Sequence, residues 1–304
     1  MIKKKVFQTR GADIAKKNTG KLLFALFRYI ILFIIGYIVL YPLLYMISTA
    51  VKTESDFLDV SHQWLPIELT AENFKTAFEA MNFGTALKQT VIIQLLSAVI
   101  EIIVCSFVAY GFARFKFRGK KLASFFLILS LLIPVQMYSL SLSVNYRMLN
   151  IFNTPFVYWL PSLFGVGIRS GMIIFIYQQF FIGLPHELED AAYVDGAGPI
   201  KTYFRIALPS SSVVIVTVSV PSIIWHWNEY YLAELCFLDE SRPLAVVIGN
   251  LTALLAQIGI NSGDPLYPAA ICAGCILFVI IPLVFYMIVQ RKFVRSIDRV
   301  GITG

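Results

Sequence analysis

Long apolar runs alternate with short polar ones along the chain. Apolar stretches near 29–50, 91–113, 122–145, 157–183, 211–235 and 267–290 reach the ~20 residues that a bilayer-spanning helix needs. This pattern predicts an all-α, polytopic membrane helix bundle of six transmembrane helices. Gly165, Gly167, Arg169 and Gly171 interrupt the fourth stretch and predict an irregular outer half, while Trp225-His226-Trp227-Asn228-Glu229 weakens the end of the fifth. Pro134 and Pro282 predict kinks in the third and sixth. Between the first two stretches, Pro66 and Asn73-Phe74 predict a small ordered cap. The stretch 236–266 mixes Gly249, Gly259 and Gly263 with Leu251, Leu254 and Leu255, and reads as partly re-entrant or lying on the membrane surface.

Composition agrees with a lipid-facing exterior. Hydrophobic residues make up 58% and charged residues only 14%, against roughly a quarter charged in soluble domains. Mean hydropathy is +0.75. The net charge of +7 reads as topology rather than as nucleic-acid binding. Of the 25 Lys and Arg, 19 fall in segments 1–28, 114–121, 184–210 and 291–304, against only 6 of the 18 acids. By the positive-inside rule these segments and both chain ends are cytoplasmic. The expected organisation is a basic N-terminal segment (1–28), a six-span membrane domain (29–290) and a cytoplasmic tail (291–304). The first charged stretch is too long, and the apolar run after it too extended, for a cleavable signal peptide.

Candidate chemistry is sparse. No GxxxxGK[ST] phosphate loop occurs, so ATP hydrolysis is not expected of this chain. Cys272-Ala-Gly-Cys275 is a CxxC within an apolar run without a second ligand pair; it, Cys105 and Cys236 read as small buried residues. His186 precedes Asp190 by four residues and His226 precedes Glu229 by three, spacings that share a helix face, but neither completes a metal site. His62 is the third histidine. Glu101 sits midway along the second apolar stretch, where an unpaired carboxylate is costly. It either lines a path or bonds a neighbouring helix. Trp225, Trp227, Tyr230 and Tyr231 read as an interfacial aromatic belt, or Trp227, Asn228, Glu229 and Tyr230 face a translocation path.

The polar stretch 185–209 carries the strongest local signals. Pro185 suits a helix start, and Glu187, Glu189 and Asp190 fall where the helix dipole favours negative charge. Asp195-Gly196-Ala197-Gly198 is a helix stop, Pro199 can open a second helix, and Leu208-Pro209 closes it. Two short helices around a tight turn, with Ala191 and Ala192 as a small-residue face, describe either an ordinary connector or a shape made to dock on another protein.

Asp190-Ala191-Ala192, then Asp195-Gly196-Ala197, then Ile206-Ala207-Leu208-Pro209 resembles the EAA loop of ABC importer permeases, with Asp190 in the Glu place. Beyond the loop, Ala109-Tyr110 with Ala113-Arg114, Phe117 and Gly119 is similar to a motif of the shorter, six-span permease of maltose-type oligosaccharide importers. Trp227-Asn228, Pro282 and Gln290-Arg291-Lys292-Phe293 also fit that branch. Lys88-Gln89-Thr90 departs from its usual Asn-Ser, and Ser296-Ile297-Asp298-Arg299 from its Gly-Leu-Thr.

The resemblance implies a coupling helix at 185–209 that sits in a cleft of a separate ATPase. The coupling residues it implies are Glu187, Glu189, Asp190, Ala191, Ala192, Asp195, Gly196, Ala197, Leu208 and Pro209. It further implies a second homologous permease, two ABC ATPase subunits holding ATP and Mg, an extracytoplasmic solute-binding protein, a sugar substrate and a bacterial plasma membrane. No cofactor on this chain, no metal and no nucleic acid are implied. The competing expectations are an ion-coupled secondary transporter, which Glu101 favours, and an ABC permease for a non-sugar solute; a membrane enzyme or signalling scaffold lacks any supporting constellation.

Overall fold

The computed structural model describes the backbone of residues 2–58 and 64–301, and the side chains of residues 21, 22, 24–58 and 64–294. His62, residues 302–304 and the side chains of Ser296, Asp298 and Arg299 lie outside the described residues. Every regular element among the described residues is helical, as expected.

Among the described residues, three helices are long and apolar enough to cross a bilayer alone, over Phe24–Ala50, Phe83–Arg114 and Tyr267–Val294. The first is the apolar part of α1 (Ile2–Ala50), which continues the basic N-terminal segment without a backbone break at residue 28. Its apolar window has no buried residue, the pattern of a helix turned to lipid or to another subunit. A cap follows as expected. The buried amide of Asn73, in α2 (Glu72–Ala80), donates to the carbonyls of Ala50 and Lys52 at 2.9 and 2.8 Å and so ties α2 to the end of α1.

The second long helix, α3 (Phe83–Arg114), contains one wide turn at Thr90–Leu95. Thr90 explains the local arrangement. Its buried hydroxyl donates to Ala86 O at 2.8 Å and accepts from Leu244 N at 2.8 Å, docking α12 (Leu244–Gly249) on α3. The Gln89-Thr90 departure noted above therefore retains a hydroxyl that is structurally used.

The third apolar stretch is not one helix. α4 (Lys120–Leu132) ends where Ile133 and Pro134 are extended, and α5 (Ser139–Met148) starts afresh. The residue before a proline is pushed out of the helical region, so Pro134 breaks the chain rather than kinking it. At 13 residues, α4 is about 20 Å long, short of a ~30 Å hydrocarbon core. The fourth stretch breaks as its glycines predict, into α6 (Phe156–Leu163) and α7 (Ser170–Gly183), with Gly165 and Arg169 at positive φ between them. A Cβ on Gly171 would lie 2.5 Å from Ser130 Oγ and 3.2 Å from Leu127 O, so this glycine lets α4 and α7 cross closely.

Two helices follow α7 on the way to the fifth stretch, α8 (Glu187–Val194) and α9 (Pro199–Ser210). α9 meets α10 (Ser212–Trp227) at a 76° bend; together they pass as one broken span. After three residues comes α11 (Tyr231–Cys236). The stretch 236–266 contributes core rather than surface: Leu244 in α12 and Leu251 and Leu255 in α13 (Leu251–Gln257) are buried with Trp227 and Ala270. The last helix, α14 (Tyr267–Gly301), packs along α1, α10 and α2, with Ala50, Ala77 and Ala273 permitting close approach.

Candidate functional site

The expected coupling loop forms as two helices around a glycine turn. Glu187, Glu189 and Asp190 occupy the first turn of α8. At its other end Gly196 N donates to Tyr193 O at 3.0 Å and Ala197 N to Ala192 O at 2.9 Å. This paired reversal needs a left-handed residue, and Gly196 has φ +76°. Gly198 is extended and Pro199 opens α9, where its missing N–H costs nothing.

Aromatic packing fixes α9 to the bundle. Tyr203 is buried with its hydroxyl donating to Ser106 Oγ at 3.1 Å, and its ring lies 5.2 Å from that of Tyr110. Phe181 of α7 stands edge-on to Tyr110 at 5.5 Å. α8 is held by charge. Arg114, the last residue of α3, is 4% exposed and places Nε 2.9 Å from Glu189 Oε1, itself 4% exposed. Its Nη2 donates to Leu184 O at 2.5 Å and its Nη1 lies 3.2 Å from His186 Nε2.

The ten loop residues thus separate into two groups. Glu189 and Ala192 are buried and so lie off a docking surface: Glu189 is committed to Arg114, and the Ala192 carbonyl accepts from Ala197 N in the turn. Glu187, Asp190, Ala191, Asp195, Gly196 and Pro209 are exposed, and Ala197 and Leu208 half-buried. Positions 187, 190, 191 and 194 share one helix face. Val194 on that face is 88% exposed, and Leu188 of α8 and Ile200 of α9 are exposed as well. Sequence reasoning missed these three apolar residues, although their spacing around the acids was available. It also missed Arg114 and His186, whose contacts lie 70–75 residues apart in the chain.

The candidate path residues do not form one surface. Glu101 is fully buried, accepts from Ser170 Oγ, and has Oε2 3.2 Å from His226 Nε2. Of its two expected roles, the structure gives it the helix-bonding one. Trp227 is 2% exposed, in the core against Phe278, and so is neither in an interfacial belt nor beside a path. Glu229 is buried and caps α11 by accepting from Leu232 N at 3.0 Å. α10 ends before it, so the helical His226–Glu229 pairing expected from spacing does not exist. Asn228 is exposed and Tyr230 half-buried beside Gly249. No group of three or more His, Cys, Asp or Glu suited to a metal occurs among the described residues.

Known proteins share this sequence and architecture. Residues 101–299 match the family model for binding-protein-dependent transport system inner membrane components. The chain is 29% identical over 283 residues to the probable ABC transporter permease YurM of Bacillus subtilis, covering 91% of this chain and 88% of that protein. It is 28% identical to AmyC of Thermoanaerobacterium thermosulfurigenes, a probable permease for starch degradation products (77% and 81% covered), and 26% identical to DasC of Streptomyces coelicolor, a diacetylchitobiose uptake permease (87% and 92%). Its fold matches a chain of a bacterial ABC transporter that imports the acidic polysaccharide alginate, with TM-score 0.74, 19% identity and 89% of this chain and 96% of that chain covered. The chain belongs to the family of binding-protein-dependent transport system inner membrane components and is a transporter permease subunit, not an enzyme.

Proposed function

We propose that this chain is a membrane-spanning half of an ATP-driven importer of carbohydrate, with α8 as its coupling helix. The observation that carries the reading is the exposed face of α8. Its acids (Glu187, Asp190, Asp195) and apolar residues (Leu188, Val194) stand out from a helix whose inward side is fixed. Such a face suits a groove lined by cations and apolar side chains on a separate ATPase, which would hold ATP and Mg. A second homologous permease, two ATPase copies and an extracytoplasmic solute-binding protein complete the assembly. The carbohydrate class is supported by the starch degradation products and diacetylchitobiose for which AmyC and DasC are named.

In this reading the chain makes six passes with both ends in the cytoplasm. α4 with the segment after it, and α6 with α7, supply the third and fourth passes. Closure of the ATPases on ATP pulls α8 and shifts the bundle between two packed states. The exposed Asn228 and half-buried Tyr230 are the members of the expected path set that remain available to a solute. The family match over residues 101–299, rather than Glu101, argues against an ion-coupled transporter.

Purification of the tagged chain from its host membranes in mild detergent tests the reading. An ATPase subunit should accompany it, and reconstituted vesicles should take up at least one of maltotriose, diacetylchitobiose or an alginate oligosaccharide when ATP and the binding protein are supplied. Isolation of the chain without any ATPase would refute it.

A further inference from the structure

We infer that Arg114 is a positioning residue through which movement of α8 is passed to α3, an inference that rests on the coupling role proposed above. One guanidinium gathers three separate parts of the loop: the Leu184 carbonyl before α8, His186 at its start and the Glu189 carboxylate in its first turn. All three contacts come from the final residue of the long helix α3, where a cation is also favoured by the helix dipole. The side chain is almost closed to solvent, so the pair is little screened.

The link does not stop at α3. Thirteen residues up the same helix, Glu101 meets Ser170 of α7 and His226 of α10. A displacement of α8 is therefore delivered, through Arg114, to a helix that is hydrogen-bonded to α7 and in close polar contact with α10. Arginine suits the task because its planar fork engages several acceptors in fixed directions, whereas a lysine ammonium cannot hold all three at once. Among the described residues no side-chain hydrogen bond or ion pair joins the outward residues of α8 to this clamp, so docking of the ATPase and transmission of its movement are separable.

The test uses the complex purified from host membranes, with Asn228→Cys as a reporter and Cys275→Ser to silence the half-buried native thiol. Labelling by a membrane-impermeant maleimide is followed with and without ATP. With Arg114 present, ATP should change the labelling rate. Arg114→Gln should retain the ATPase subunit and its hydrolysis while the ATP-dependent change falls about tenfold, the scale of a lost charge-assisted hydrogen bond. Arg114→Lys should be intermediate, and the swapped pair Arg114→Glu with Glu189→Arg should recover part of the response, which a purely structural role would not produce. If Arg114→Gln does not reach the membrane, the Lys variant carries the comparison. An undiminished response in the Gln variant, or in the Lys variant where it alone is stable, overturns the inference, as does loss of the ATPase that the swapped pair fails to restore. No ATP response with Arg114 in place would instead count against the coupling reading itself.

Discussion

Glu101 Oε2 and His226 Nε2 lie 3.2 Å apart in the closed interior of the bundle, joining α3 to α10 across 125 residues of sequence. His226 Nδ1 is 2.9 Å from Ser222 O and, facing a carbonyl, must carry the hydrogen. Ser170 donates to the other carboxyl oxygen, and a Cβ on Gly167 would approach that oxygen to 3.0 Å, so the pocket fits this side chain tightly.

Removing one partner leaves the other buried and unpaired, so Glu101→Ala and His226→Ala should each lower stability by about 3 kcal/mol. The double variant should lose clearly less than the two losses combined. Thermal unfolding of the detergent-solubilised chain measures this; strict additivity would show that the two groups do not interact.

Asp56 gives the cap between α1 and α3 a defined acid sensitivity. Its carboxylate accepts from Ile67 N at 3.0 Å and Thr53 N at 3.3 Å, and the Ile67 bond is the main reason its pKa lies below the ordinary value. A depressed folded pKa means that its contribution is complete above the unfolded pKa and is lost as pH falls through the folded one. Cleavage between residues 51 and 70 by an acid-active protease should therefore rise below about pH 4. Asp56→Asn should abolish that pH dependence. Cleavage unaffected by pH in the unaltered chain would contradict the assignment.

The uneven distribution of basic residues, 19 of 25 in four segments, predicts orientation. A reporter fused after Lys120 or after Gly304 should be cytoplasmic, and one inserted at Glu68 should be outside. A cytoplasmic Glu68 would invert the chain and remove α8 from reach of an ATPase.

Features set by neighbouring residues were legible in the sequence. The Gly196 turn, the Pro199 start and the glycine break near 165–171 all depend on chemistry within a few positions. The break at Pro134 was underestimated because apolar character continues across it, and hydropathy does not register a lost helical conformation. Trp227 reads the same in an aromatic belt, along a path or in a core; only its packing on Phe278 and Leu244 distinguishes them. His226 had a helical partner available in Glu229, yet α10 ends at Trp227 and the imidazole turns to Glu101 instead. Arg114 looked like one of five topology-setting cations, since nothing local announces a partner 75 residues away.

The account depends most on Gly196, whose φ of +76° turns the chain between α8 and α9. No atom lies within 4 Å of a Cβ built there, so a substitution meets no clash and acts through the backbone and the exposed face alone. A β-branched side chain in this conformation costs of order 1–2 kcal/mol, while Asn tolerates it. The decisive measurement is ATPase pull-down and sugar uptake in the same cells for Gly196→Val, with Gly196→Asn as control. The account predicts that both chains insert in the membrane, that Asn stays close to wild type, and that Val loses most of the bound ATPase and most of the uptake. Full ATPase retention with full uptake in Gly196→Val would show that the loop only connects two helices, and would contradict the coupling function assigned to it.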